Sequence, residues 1–143
     1  MAAAAGNMQA KILRQSAVMF ASDLPKTIAF WNEKAGFATH ATFLDPPRFA
    51  IMERDSAFVV LRQAATGQTI VPCSRLGEGL WNAYFWVDDV EALFAELRGR
   101  AAPLDYELCD QPYGVREFAI KDPDGQGIGF GQVLGTATGA PPT

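Results

Sequence analysis

The chain has one histidine, His40, and two cysteines, Cys73 and Cys109. A single imidazole excludes any centre built from several histidines. The cysteines lie far apart and match no zinc or redox spacing, so both are read as reduced thiols of a cytoplasmic protein. Basic residues are also in deficit, with 12 Lys and Arg against 16 Asp and Glu and a formal net charge of −4. Nothing here offers the basic face expected of a nucleic-acid binder. Long apolar runs are missing too. The stretch from Ala83 to Val87 falls far short of a membrane span, and Ala2–Ala5 is no signal-peptide core, so no membrane partner is expected. No Gly-x-Ser-x-Gly elbow occurs, and a lone histidine without a nucleophile neighbour is a poor base. What remains is 49% hydrophobic and 20% charged over 143 residues, the profile of one globular domain or of two fused half-domains.

Two similar halves can be read along the chain. Residues 1–10 and 135–143 lack periodicity and read as disordered tails around a domain at 11–134, with modules at 11–63 and 80–134. In the first module, Ser16–Phe20 reads as a buried strand. Asp23 caps a helix carrying Pro25 in its first turn, and Leu24, Ile28, Trp31 and Ala35 form its apolar stripe up to Gly36. Strand candidates at Phe37–Phe43, Arg48–Glu53 and Ala57–Arg62 follow, then a loop over 63–79. The second module repeats the order. Asn82–Val87 is a strand, and Asp88 or Asp89 caps a helix, with Glu91 placed to complete a capping box from Asp88. Val90, Leu93, Phe94 and Leu97 line that helix, and strands at Leu104–Cys109, Val115–Ile120 and Gly127–Val133 close the module. One offset carries Asp23 onto Asp89, Leu24 onto Val90, Ile28 onto Phe94 and Trp31 onto Leu97. The expected fold is therefore α+β, a βαβββ unit used twice, its two sheets curved around a shared cavity with the helices outside.

Three segments carry a resemblance. Asp23-Leu24-Pro25 with Ile28–Trp31 and Gly36-Phe37 is similar to the opening of the glyoxalase/bleomycin resistance/dioxygenase (vicinal oxygen chelate) superfamily. Trp86–Leu93 resembles the start of its second module. Gln111–Gly125, with Arg116-Glu117-Phe118 and Asp122-Pro123-Asp124-Gly125, resembles the C-terminal signature of bleomycin-resistance proteins, which usually carry Trp where Tyr113 stands. The resemblance implies paired βαβββ modules, a homodimer and ligand sites in grooves. Enzymes of the superfamily usually hold a divalent metal with His and Glu; the matching positions here are Ser16, Val60, Asn82 and Gly129. A hydroxyl, an isopropyl group, an amide and a hydrogen atom are poor donors for such a metal, so no metal or other cofactor is expected. Catalytic residues are likewise not expected. Glu53, Asp55 and Glu117 each sit beside an arginine and read as structural ion pairs.

Counting by two from the positions so placed gives the face toward the cavity. It carries Ser16, Val18 and Phe20; Phe58, Val60 and Arg62; Asn82, Tyr84 and Trp86; and Gly127, Gly129 and Gly131. Three inward glycines open space or let another backbone or ligand come close, or else they merely weaken a terminal strand. Tyr113, between Pro112 and Gly114, is an expected aromatic wall at the groove mouth, joined by Phe49 and Trp81. The expected ligand-binding set is thus Phe49, Phe58, Arg62, Trp81, Asn82, Tyr84, Trp86, Tyr113 and Gly129. An aromatic hollow with few polar handles suits a planar organic ligand. The expectation is metal-free binding and sequestration of a small, partly aromatic molecule, such as a bleomycin-like or other planar antibiotic. The alternatives are a lyase, isomerase or dioxygenase of the same superfamily, and a domain serving mainly as a dimeric interaction module, the reading favoured if the groove is filled by its own side chains.

Overall fold

The computed structural model describes residues 8–135; the outer parts of both expected tails, 1–7 and 136–143, lie outside the described residues. Strand β1 (Ser16–Ala21) leads into helix α1 (Leu24–Glu33), followed by β2 (Ala38–Phe43), β3 (Phe49–Arg54) and β4 (Ala57–Gln63). After a loop holding a single 3-10 turn at Cys73–Arg75 come β5 (Ala83–Trp86), α2 (Val90–Gly99), β6 (Leu104–Gln111), β7 (Val115–Lys121) and β8 (Gly127–Val133). The strands form two four-stranded sheets, ordered β1-β4-β3-β2 and β5-β8-β7-β6. In each, the first strand runs parallel to the last of its module and the other pairs are antiparallel. The βαβββ order thus occurs twice. Among the described residues no helix is long and apolar enough to cross a membrane.

Each helix starts on an aspartate whose carboxylate takes up a free backbone N–H. Asp23 accepts from Lys26 N, and Asp89 accepts from Ala92 N. The cap of α2 is therefore Asp89. The expected capping box from Asp88 does not form, and Glu91 instead reaches Arg116 at 3.5 Å. Helix α1 is capped at Lys34, and the turn that follows it contains Gly36, whose φ of +75° suits glycine. A side chain there would also meet the Arg54 guanidinium at 2.6 Å, so the position serves the turn and a close approach together.

The helices cover one face of each sheet. Met19, Ala21, Met52, Val59 and Leu61 lie under α1, beside the fully buried Trp31. Phe118 stacks on Phe130 at 5.2 Å and meets Phe94 of α2 at 5.1 Å. Both modules share this core, and Phe37 of the first contacts Phe85 of the second at 5.6 Å. A polar seam runs beside it. Arg54 makes a bidentate pair with Glu96 at 2.7 and 2.9 Å, and Lys34 Nζ donates to the Arg100 carbonyl at 3.0 Å. The Asp-Pro-Asp-Gly turn belongs to the seam as well. Gln126 Nε2 donates to the Phe20 carbonyl at 2.8 Å and to Asp122, and Ser22 donates to Asp124 through its backbone N–H at 3.1 Å. Asp122 is buried, and desolvation pushes its carboxyl above the ordinary range against the hydrogen bonds it accepts from Gln126.

The other face of each sheet, away from the helices, is its open face. Within one chain these two faces are not closed on each other. Val18 is 72% exposed and Trp86 57% exposed. The modules join through their helix-side core and seam, which leaves both open faces directed outward.

Candidate functional site

Strand register maps the open face of the first sheet row by row. Phe43, Phe49, Arg62 and Phe20 lie side by side across β2, β3, β4 and β1. The next row is Ala41, Ile51, Val60 and Val18, and a third holds Glu53, Phe58 and Ser16. Phe20 and Phe43 keep 40% and 49% of their surface exposed. The Arg62 guanidinium lies 5.3 Å from the Phe49 ring centre and 6.0 Å from that of Phe20. Arg14 sits 4.9 Å above Phe58, whose edge is met by His40. His40 Nδ1 is 3.1 Å from Glu53, so Glu53 pairs with His40 and not with the neighbouring Arg54.

The open face of the second sheet is different, because its own side chains fill it. Register places Tyr84 opposite Gly129 and Trp86 opposite Gly131. A Cβ on Gly129 would lie 2.6 Å from Tyr84 and 2.8 Å from Trp81, and one on Gly131 would collide with the Tyr84 hydroxyl. The glycine row therefore neither opens space nor merely weakens the strand. It is the bed on which Tyr84 lies, with Trp81 and Trp86 against it at 4.5 and 5.0 Å between ring centres.

Beneath these rings lies Glu117, 1% exposed. Tyr84 and Tyr113 donate to its Oε1 at 2.8 and 2.9 Å. Tyr106 and Gln111 donate to Oε2 at 2.6 and 3.2 Å, and Trp81 Nε1 donates in turn to the Tyr106 hydroxyl at 2.9 Å. The expected Arg116–Glu117 pair does not exist, since neighbours on a strand point to opposite faces. Arg116 turns to the helix side and forms a bidentate pair with Asp110 at 2.6 and 3.0 Å. Burial and the hydrogen bond to Glu117 raise the phenol pKa of Tyr84, Tyr106 and Tyr113 well above 10.0.

Of the residues expected to bind ligand, Phe49 and Arg62 come together on the first open face, with Phe58 further along it. Trp81, Tyr84, Trp86, Tyr113 and Gly129 gather on the second. Asn82 stands apart from both groups. Its amide donates to Gln126 at 3.1 Å and accepts from Cys73 N at 3.1 Å, which pins the long loop to the seam. Glu117 and Tyr106 were not expected at the site. Alternation along β7 puts Glu117 on the same face as Val115 and Ala119 and could have found it. Tyr106 was hidden by irregular register in β6, where it and Cys109, three residues apart, share a face. Of two open pockets, of about 410 and 460 Å³, the first lies away from these groups and the second touches them only at Trp86. One is bordered by Pro46, Pro47 and Gln63, the other by Arg54, Trp86 and Asp89.

The four positions matching metal ligands in the superfamily do not fit a divalent ion. Ser16 and Val60 offer one hydroxyl and no donor, Asn82 is engaged at both ends, and Gly129 is covered by Tyr84 and Trp81. Glu117 has its oxygens occupied by four donors. Among the described residues no three His, Cys, Asp or Glu side chains converge on a point that could hold a metal.

Solved structures share this architecture. TioX from Micromonospora sp. ML1 superposes with a TM-score of 0.66 at 22% identity, over 85% of this chain and 98% of that one. TnmS3, an antibiotic binding protein from Streptomyces sp. CB03234, gives 0.65 at 24%, over 87% and 98%. The bleomycin-binding protein of Streptomyces verticillus, solved with copper(II)-bleomycin, gives 0.63 at 24%, over 90% and 100%. At these identities the likeness concerns the fold. No curated protein matches the sequence significantly. Residues 14–130, nearly all of the two-module domain, match the glyoxalase/bleomycin resistance protein/dioxygenase superfamily, and the chain belongs to it.

Proposed function

We propose that this protein binds and sequesters a small, planar, partly aromatic molecule without transforming it. Two copies pair so that an open face of one covers an open face of the other, and the ligand lies between them. The observation that carries this reading is the first open face, where Val18, Phe20 and Phe43 stand 72%, 40% and 49% exposed around an arginine that has no ion-pair partner among the described residues. A sheet face this apolar gains from being covered, and flat rings offer a large area for stacking. The filled second face, with Trp86 still 57% exposed, supplies an aromatic wall to close over it. Two structural neighbours, TnmS3 and the Streptomyces verticillus protein, bind antibiotics, which supports an antibiotic or similar metabolite as ligand. The misfit of the four metal positions supports holding over chemistry. Two unpaired thiols suit a cytoplasmic setting.

Titration of the purified protein with bleomycin and a panel of planar aromatic antibiotics, followed by tryptophan fluorescence and calorimetry, tests this. Saturable binding at one ligand per groove, unchanged ligand mass after incubation and a dimer in sedimentation are the expected results. Turnover of a ligand, or stoichiometric metal in protein purified without chelator, supports the enzymatic alternative instead.

A further inference from the structure

Resting on that sequestration reading, we infer that the ligand carries a carboxylate on its flat ring system and that Arg62 receives it. Arg62 is exposed on the first open face, and among the described residues it has no hydrogen-bond partner and no carboxylate within salt-bridge distance. Most other arginines of the sheets are committed: Arg54 to Glu96 and Arg116 to Asp110 and Glu91. Phe49 and Phe20 on the adjacent strands flank Arg62, at 5.3 and 6.0 Å from its guanidinium. Aromatic neighbours limit the rotamers of a long side chain without using its N–H groups. What they leave is a planar fork of donors held beside two rings, a geometry that matches a carboxylate bidentately.

The rest of the face sets the direction of the ligand. The row beyond Arg62, Ile51, Val60 and Val18, contains no polar side-chain atom, so the hydrocarbon body lies there. The one carboxylate of the mapped rows, Glu53, is at the far end, four residues along β4 from Arg62 by register, or about 13 Å. It is paired with His40. Arg14 lies over Phe58 at that same end. An acid entering with its charge toward Arg62 therefore meets a cation with no carboxylate beside it, whereas at the far end the cation Arg14 shares the space with Glu53. The overall net charge of −4 gives no hint of this, because the acidic excess is located elsewhere.

Pyrene carboxylate and its neutral carboxamide, equal in shape, are the probes, with affinities read by tryptophan quenching at low and high salt. The expected result is that the protein binds the acid about tenfold more tightly than the amide, a preference that salt weakens. Arg62→Gln should abolish the preference, and Arg62→Lys should keep part of it, since a point charge lacks the fork. Equal binding of acid and amide by the unaltered protein overturns this inference and leaves sequestration standing. If neither probe binds, while the antibiotic panel also fails, both readings fall. Sedimentation of Arg62→Gln supplies the remaining control. If the variant loses dimerisation, Arg62 is serving the partner copy and the assignment to ligand is wrong.

Discussion

A carboxylate offers about four acceptor positions, and Glu117 has four donors on it. The three phenols among them are every tyrosine in the chain. This concentration makes the residue testable with a signal that reports nothing else. Burial first, then the hydrogen bond to Glu117 and its negative charge, disfavour ionising any of the phenols, so all three resist deprotonation. Phenol pKa values raised on folding add stability that is fully present below the unfolded value near 10.0 and is lost as pH climbs beyond it. Spectroscopic titration of the folded protein should therefore show no tyrosinate near pH 10, only a joint appearance on alkaline unfolding. Glu117→Gln replaces one acceptor oxygen with an amide N–H₂ facing hydroxyl donors. It should cost about 1–3 kcal/mol in urea unfolding and bring tyrosine ionisation back toward the ordinary range. A variant as stable as the parent, with tyrosines still silent near pH 10, would show that burial alone protects them.

At the level of strands, β8 contributes by what it lacks. Gly129 and Gly131 leave room for Tyr84 and Trp81 to lie against the backbone, and those rings then reach Glu117 and Tyr106. Gly129→Ala puts a methyl group 2.6 Å from Tyr84 and 2.8 Å from Trp81, closer than real Cβ contacts come. Overpacking of this kind costs about 1–3 kcal/mol. It should also alter the near-ultraviolet circular dichroism of the displaced tryptophan; a spectrum and midpoint like the parent's would show that the rings do not rest on this strand. Much of this element was open to reading beforehand. Aspartate caps, apolar stripes and Asp/Gly/Pro breaks placed both helices and all eight strands within a residue or two. Alternation put Arg62, Tyr84 and Trp86 on the open faces. What alternation could not show was the content of the glycine row, since the same spacing describes an empty hollow and a filled one. It failed too for Tyr106, because a register irregularity breaks the period of two. The role of Asn82 was hidden for another reason: its partners, Cys73 and Gln126, come from a loop and a turn that no local pattern positions.

The molecule as a whole is two modules that share one core and one seam, which makes their unfolding a joint event. Phe37 against Phe85 ties the cores, and Gln126 joins the final turn to the end of β1. Glu96 is the charged centre of the seam, accepting from both Nη atoms of Arg54 and from Arg100 Nε at 2.9 Å. The hydrogen bond from Arg54, more than any other contact, lowers its pKa from 4.5, and the same pair raises that of Arg54. A carboxyl depressed on folding adds stability that is present above the unfolded value and disappears as pH falls through the folded one. Glu96 is 34% exposed, so water screens the pair and its contribution is about 1 kcal/mol or less. Glu96→Gln should accordingly lower the thermal midpoint at neutral pH by a few degrees. The difference from the parent should shrink as the buffer is taken well below 4.5, where the parent's carboxyl is itself protonated. Because the apolar junction survives the substitution, calorimetry should still show one transition with matching calorimetric and van't Hoff enthalpies. Two separated transitions in the variant would mean that the seam, and not the core, holds the modules together; a gap between variant and parent that persists in acid would mean that Glu96 acts through packing rather than charge.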